Sequence, residues 1–324
     1  MCPIMKHLRP LIARLVELMP VCIFIKEGPM EEIRFGNIVF IPGMKGGRYP
    51  FCNSLYIDDE KKVIIDPASD EAYLRDLHVK KGIDVIINSH YHEDHIAFNY
   101  LFPQAELYVH EAIAPCFKSY HSYLDYCGLL DTDYKKEWDD LFLNKYHLQE
   151  RIPALEFKDG DILAFGDTKI TVIHTPGHTI GHCSFHFPNE GILFLGDHDL
   201  THFGPWYSDR VSDIEQTIQS VERLLKIPAE VYITSHELGI IKGDITQLAE
   251  QYLDIINQRE RRLLSFLEKP RSINEIVNQW LIHKKEYQPR YFFEFAEKGM
   301  IMKHLERLIK KEKIFTTDGK YYLA

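Results

Sequence analysis

The chain has 324 residues, of which 45% are hydrophobic and 27% charged, with a formal net charge of −10. This composition excludes an intrinsically disordered chain, and the acidic balance excludes a protein that coats nucleic acid by charge alone. No uninterrupted apolar run approaches the ~18 residues of a membrane-spanning helix, and the length suits one large domain or two smaller ones.

The six cysteines (Cys2, Cys22, Cys52, Cys116, Cys127, Cys183) are scattered without a Cys-x-x-Cys spacing, which predicts reduced thiols in a cytoplasmic protein. Within 1–34, an N-terminal helical segment and lead-in, residues 5–19 read as an amphipathic helix. Lys6, Arg9, Arg14 and Glu17 interrupt the apolar positions that an export signal would need. Strands are expected at 37–41, 53–57 and 62–65, and the glycine-rich loop 42–47 between the first two reads as a mobile hairpin tip near a pocket. A helix over 69–81 and a buried strand over 83–88 follow. A further helix is expected to begin near His95, and residues 111–150, rich in Tyr, read as a helical insertion. Strands return at 155–158, 161–165, 169–174, 182–187 and 191–196, then a helix over 212–226 and a strand over 231–234. Strand runs alternating with helices indicate an α/β (α+β) chain of layered sheets covered by helices.

The composition then changes. Residues 258–324 hold 15 Lys+Arg against 9 Asp+Glu, so the tail is basic and the rest strongly acidic. Helices are expected over 259–267, 272–282 and 291–311, followed by a hairpin at 314–323 turning on Asp318-Gly319. Three helices and a β-wing have the layout of a winged-helix module, with a boundary near 255.

The chemistry concentrates in Asn88-Ser89-His90-Tyr91-His92-Glu93-Asp94-His95. Positions i and i+2 of an extended backbone point the same way, so His90 and His92 can grip one ion while Asp94 and His95 face the other side of the turn. Three more candidates stand just past strand ends: His178 in Thr-Pro-Gly-His, Asp197 after Leu-Gly, and His236 after Ser235. Four strands thus each deliver a metal-capable side chain at a C-terminal end, where binding loops gather. His110, His121, His147, His174, His182, His186, His198 and His202 read as structural or surface residues. Of these, His198 and His202 lie nearest the proposed site. Gly-x-Ser-x-Gly is absent, so no serine-nucleophile motif competes.

The ordered motifs resemble those of the metallo-β-lactamase superfamily: His-x-His-x-Asp-His at His90, His92, Asp94 and His95, then Thr-Pro-Gly-His at His178, Leu-Gly-Asp at Asp197, and His236. Asp66 in Ile-Ile-Asp-Pro matches an early aspartate that supports the ligands. The resemblance spans roughly residues 35–240. It implies an αββα sandwich over 35–255, with the 111–150 insertion, ahead of a winged-helix-like C-terminal domain over 256–324. It further implies one metal site of His90, His92 and His178, a second of Asp94, His95 and His236, and Asp197 bridging them. Asp197 stands where β-lactamases of the main subclass carry cysteine, so the pattern is closer to hydroxyacylglutathione hydrolases, lactonases and phosphodiesterase relatives.

The reading that follows is a hydrolase using two divalent ions, Zn2+ first, with Fe or Mn compatible. Asp94 orients the nucleophile or shuttles its proton, and the target is a thioester, ester or lactone. Alternatives are a phosphodiesterase or ribonuclease acting on nucleic acid through the basic tail, and a mononuclear iron dioxygenase. Phe203, Trp206 and Tyr207 are candidates to wall the pocket of a small-molecule substrate, with Tyr207 placed to donate to a substrate oxygen. The insertion is a candidate to roof that pocket or to form a homodimer contact. No membrane partner is expected.

Overall fold

The computed structural model describes residues 21–23 and 33–324. The expected helix over 5–19, and nearly all of the 1–34 segment, lie outside the described residues.

Two seven-stranded sheets stack face to face. The first comprises β2 (Ile33–Phe35), β3 (Ile38–Ile41), β4 (Ser54–Asp58), β5 (Lys62–Ile65), β6 (Val85–Ile87), β7 (Glu106–His110) and β8 (Leu155–Phe157), in that spatial order. The second runs β1 (Val21–Ile23), β14 (Ile240–Lys242), β13 (Val231–Thr234), β12 (Ile192–Gly196), β11 (Cys183–Phe187), β10 (Lys169–His174) and β9 (Ile162–Ala164). Ile38 and Phe40 of β3, Val63 and Ile65 of β5, and Val85 and Ile87 of β6 point between the sheets, where they meet Val172, Phe185, Phe194 and Ile233. Their alternates Val39, Ile41, Ile64 and Ile86 point outward under helices. Burial on both faces explains why these strands read as continuous apolar runs rather than alternating ones.

Helices cover both outer faces, completing the αββα layers. Over the first sheet lie α1 (Glu71–Lys81), whose N-terminus is capped by Asp70 accepting from the Tyr73 amide, and the insertion helices α3 (Ala114–Lys118), α4 (Tyr120–Cys127) and α5 (Lys135–Asp139). Over the second lies α6 (Ile214–Leu224), capped by Asp213, together with the first half of α7 (Thr246–Phe266).

Strand direction fixes where the loops meet. β5 and β6 pair in parallel, as do β12 and β13, while β10 is antiparallel to β11 and so runs with β12. The C-terminal ends of all five therefore lie at one edge of the sandwich. That edge is stitched across the sheets by the Asn53 amide donating to Ser235 O (2.6 Å), Asn53 Nδ2 to Thr234 O (3.0 Å) and the Cys183 amide to Ser89 O (2.9 Å).

Several elements differ from expectation. The loop 42–47, expected as a hairpin tip, is tied back to the body: the Gly43 amide donates to Asn53 Oδ1 (2.9 Å) and the Met44 amide to Ser69 O (2.9 Å). A short helix, α2 (Glu93–Ile96), starts two residues before His95. The helix expected over 259–267 is the second half of α7, which runs unbroken through residue 255 because its first half packs on the second sheet and its second half on the tail. The helix expected over 272–282 is only α8 (Ile273–Val277), although its capping box of Ser272 and Glu275 is present. The long helix α9 (Arg290–Lys310) and the hairpin of β16 (Ile314–Thr317) and β17 (Lys320–Leu323) match expectation, with β15 (Arg271–Ser272) adding a third strand.

Basic residues of α9 and of its C-cap are docked on the body. Arg307 donates to Glu215 (2.6 Å) and pairs with Glu260, Lys311 lies 3.7 Å from Glu215, and Lys303 donates to Arg210 O (2.8 Å). Beside them Gly299 lies against the Ser208 backbone so closely that a Cβ would stand 2.1 Å from Ser208 O. Gly299→Ala is therefore expected to force α9 off this loop and cost about 1–3 kcal/mol, read as a lower urea midpoint.

Candidate metal centre

Each candidate side chain leaves the edge from a strand end. Asp66 follows β5, His90 and His92 follow β6, His178 follows β10, Asp197 follows β12 and His236 follows β13. His92 is the N-cap of α2, whose first turn presents Asp94 and His95. All seven residues of the sequence reading converge in two groups. His90, His92, His178 and Asp197 place one donor atom each within 4.8 Å of one another, and so do Asp94, His95 and His236.

The five imidazoles are anchored by their outer nitrogens. His95 Nδ1 donates to Asp66 Oδ2 (3.0 Å), His236 Nδ1 to Gly47 O (2.7 Å), His178 Nδ1 to Trp206 O (3.0 Å) and His92 Nε2 to Asp209 Oδ2 (2.9 Å). Ser89 Oγ spends its proton on Asp66 (2.6 Å), which leaves its oxygen to accept from His90 Nδ1 at 3.0 Å. Every acceptor here takes a proton from the ring, so each outer nitrogen is the N–H and each inner nitrogen is free for a proton or a cation. Asp66 anchors twice, since it also accepts from the Ser89 amide (2.7 Å).

The inner nitrogens crowd together. His178 Nε2 lies 2.9 Å from His92 Nδ1 and 3.2 Å from His90 Nε2, and His95 Nε2 lies 3.2 Å from His236 Nε2. Asp197 divides its oxygens between the groups. Oδ2 is 3.3 Å from His178 Nε2 and 3.8 Å from His90 Nε2, whereas Oδ1 is 2.9 Å from His95 Nε2 and 3.5 Å from His236 Nε2. Buried Oδ1 nonetheless accepts no well-directed hydrogen bond. Asp94 closes the second group, with Oδ2 3.5 Å from His236 Nε2. Lone pairs packed this tightly around an unsatisfied carboxylate oxygen fit divalent cations, and the donor set of imidazole nitrogens and carboxylate oxygens suits zinc, iron or manganese.

Backbone details hold Asp197 in place. Its amide donates to His182 Nε2 (3.0 Å), an approach that Gly196 permits: a Cβ there would stand 2.4 Å from that nitrogen, and its φ is +61°. His182 therefore keeps the structural role expected of it. His198 is buried with Nε2 near Thr175 O, His202 is exposed, and neither joins the cluster.

Charge in the cluster is uneven. Burial pushes His178 down to about 3 and drives His90 well below its ordinary value. Burial also opposes charge on His92, but Asp209 outweighs it and lifts His92 to about 9. Against the same burial, Asp197 holds His95 and His236 well above the usual range, and their imidazoles in turn hold Asp197 well below its own.

A cavity of about 260 Å³ opens over both groups. Phe203 and Trp206 line it as expected, but Tyr207 does not. Tyr207 is fully buried, accepting from Arg259 Nη1 (2.8 Å) with His304 Nε2 2.9 Å from its hydroxyl, so it serves the junction with α7 and α9 and cannot reach a substrate. Sequence reasoning missed Asp209, Ser89 and the aromatic side chains that α5, its following turn and α9 send into the cavity. Asp209 sits in no recognisable motif. The i, i+1 step from Ser89 to His90 was the only local signal.

The model of the metallo-beta-lactamase superfamily matches residues 48–236, more than half of the chain. A hydroxyacylglutathione hydrolase of Gloeobacter violaceus is 28% identical over 214 residues, covering 62% of this chain and 71% of that protein. An acyl-coenzyme A thioesterase of Homo sapiens is 29% identical over 147 residues, covering 42% and 51%. Across the first curated relatives the match spans from 30% to 71% of the relative's own length. Among solved structures, a metallo-beta-lactamase family protein of Thermus thermophilus superposes with a TM-score of 0.67 at 22% identity, over 89% of this chain and 99% of that one, a likeness of fold.

A cation entering the cluster competes with protons for the inner nitrogens, most of all at His92, His95 and His236, whose basicity the neighbouring carboxylates raise. Zinc titration at pH 7 is expected to release protons, seen as a dependence of binding heat on the buffer's ionisation enthalpy, and zinc affinity is expected to weaken as pH falls. Asp209→Asn removes the carboxylate that accepts from His92 and is expected to lower zinc affinity about 10- to 100-fold.

Proposed function

Because the chain belongs to the metallo-beta-lactamase superfamily, we propose that it is a metal-dependent hydrolase of a thioester, ester or lactone. The observation that carries this reading is the division of the Asp197 carboxylate between two groups of imidazoles whose outer nitrogens are already spent. In this reading His90, His92 and His178 would hold one divalent ion and Asp94, His95 and His236 a second, with Asp197 available to both. Zinc is the first choice of metal, since carboxylate with imidazole is an ordinary zinc set.

Two such ions, when bound, would supply Lewis acidity and lower the pKa of a water toward neutrality. The chain's own groups do the rest. Asp94, which lines the cavity, would take up the proton of the attacking water on its carboxylate and return it to the leaving group. Asp66, Ser89 and Asp209 keep the imidazoles from rotating, so the donor set is preorganised.

Thioester chemistry is favoured by the relatives' names, a hydroxyacylglutathione hydrolase and an acyl-coenzyme A thioesterase. A nucleic-acid substrate is disfavoured by the tail, whose Lys303, Arg307 and Lys311 are engaged by the body rather than displayed as a phosphate-binding stripe. The tail itself, the second half of α7 with α8 and α9 beside a three-stranded sheet, is read as winged-helix-like and as a module that docks on the rest of this chain. The buried free thiols Cys52, Cys116, Cys127 and Cys183 support a reducing, cytoplasmic setting.

Zinc-loaded protein is expected to cleave hydroxyacyl-glutathione or acyl-coenzyme A thioesters, to lose activity to a chelator and to regain it with zinc. Asp197→Ala is expected to lower kcat/KM by more than about 100-fold. Cleavage of bis-p-nitrophenyl phosphate with no cleavage of any thioester or ester would overturn the reading.

A further inference from the structure

We propose that the substrate of this site carries an apolar acyl chain, which lies along a wall built by the 111–150 insertion and α9. The proposal rests on the hydrolase reading above and names the part of the substrate that the cavity recognises. Trp138 of α5 and Phe142 of the following turn stack with ring centroids 5.3 Å apart. Phe292 and Phe295 of α9 pack on Trp138 at 5.5 and 5.4 Å, and Tyr49, beside the loop 42–47, packs on Phe292 at 5.3 Å. These rings line the same cavity into which His92, Asp94, His178, Asp197 and His236 open.

The charges say which end of a thioester goes where. Among the described residues lining the cavity, Arg48 is the single Lys or Arg, and it stands exposed at the rim, 3.8 Å from Glu237. Glutathione carries two carboxylates, and coenzyme A carries phosphates. Neither can be buried against five aromatic rings without cationic partners. The carrier must therefore leave through the open mouth past Arg48. With the reacting carbonyl at the His and Asp cluster, the remaining direction is the wall, and what gains free energy there is hydrocarbon. The wall is also assembled from segments distant in sequence. Trp138 is buried in the insertion while Phe292 and Phe295 are half-buried on the tail helix, so the docking of α9 completes the acyl site. This gives the C-terminal region a role in specificity.

The test is a chain-length series on one carrier, acetyl- through hexanoyl-coenzyme A, with zinc-loaded protein, alongside calorimetric titration with acetate and hexanoate. The expected result is that kcat/KM rises roughly fourfold per methylene, and that hexanoate binds at least about tenfold tighter than acetate. Phe292→Ala, at a half-buried position, is expected to flatten both dependences, and Phe295→Ala serves as a second variant should the first fail to fold. Thioester cleavage with no dependence on chain length, and hexanoate binding no tighter than acetate, would overturn the acyl wall and leave the hydrolase reading intact. Hexanoate preference abolished by Phe292→Ala, with no thioester, ester or lactone cleaved, would sustain the wall and overturn the hydrolase.

Discussion

Five imidazoles are held from behind. Each has its outer nitrogen committed to a carboxylate, a carbonyl or a hydroxyl oxygen, so each turns its other nitrogen into one small volume beside Asp197. Nothing else at this edge makes sense without that constraint. Nitrogens about 3 Å apart repel unless a proton or a cation stands between them, and burial raises the stakes by removing water that could screen them. The outer acceptors, Asp66 above all, are what keep so unfavourable an arrangement from relaxing. Asp66 is fully buried, takes three hydrogen bonds and ties the end of one strand to the loop of the next.

The sandwich supplies the convergence. Parallel pairing of β5 with β6 and of β12 with β13 places their C-terminal ends side by side, and stacking brings the two pairs across from each other. Asn53 and Ser89 then bond the sheets together at that edge, so the donor groups from the two halves cannot drift apart independently. The cavity above is completed from outside the sandwich, by an insertion on one side and a long tail helix on the other. The ends of the strands thus set the chemistry, while the appended helices set what can approach it.

This division explains what could be read in advance. His90, His92, Asp94 and His95 sit within six residues, and the i, i+2 rule of extended backbone is enough to bring donors together. His178, Asp197 and His236 were legible because each closes a strand with strong β-branched or aromatic character. Both faces of β12 and β13 are buried, so their apolar runs were unmistakable, and β10 alternates buried Ile170 and Val172 with more exposed neighbours. Asp209 was not legible, because its role depends on a loop folding back over His92 from 117 residues away. Tyr207 was misjudged for the same reason: it neighbours Trp206 in sequence, but Arg259 and His304 draw it into a different core. The tail helix α7 was cut short because it crosses from an acidic region into a basic one while its apolar stripe serves two cores in succession. Composition marks such a crossing, but the hydrogen-bond ladder does not stop there.

The central claim is that these inner nitrogens and the two Asp197 oxygens surround a pair of cations. Anomalous diffraction at the zinc edge, on crystals grown with zinc, tests it most directly. The account predicts two peaks ~3.5–4 Å apart, one among His90, His92 and His178, the other among Asp94, His95 and His236, with Asp197 between them. A single peak, or zinc bound elsewhere while this edge holds none, would contradict it.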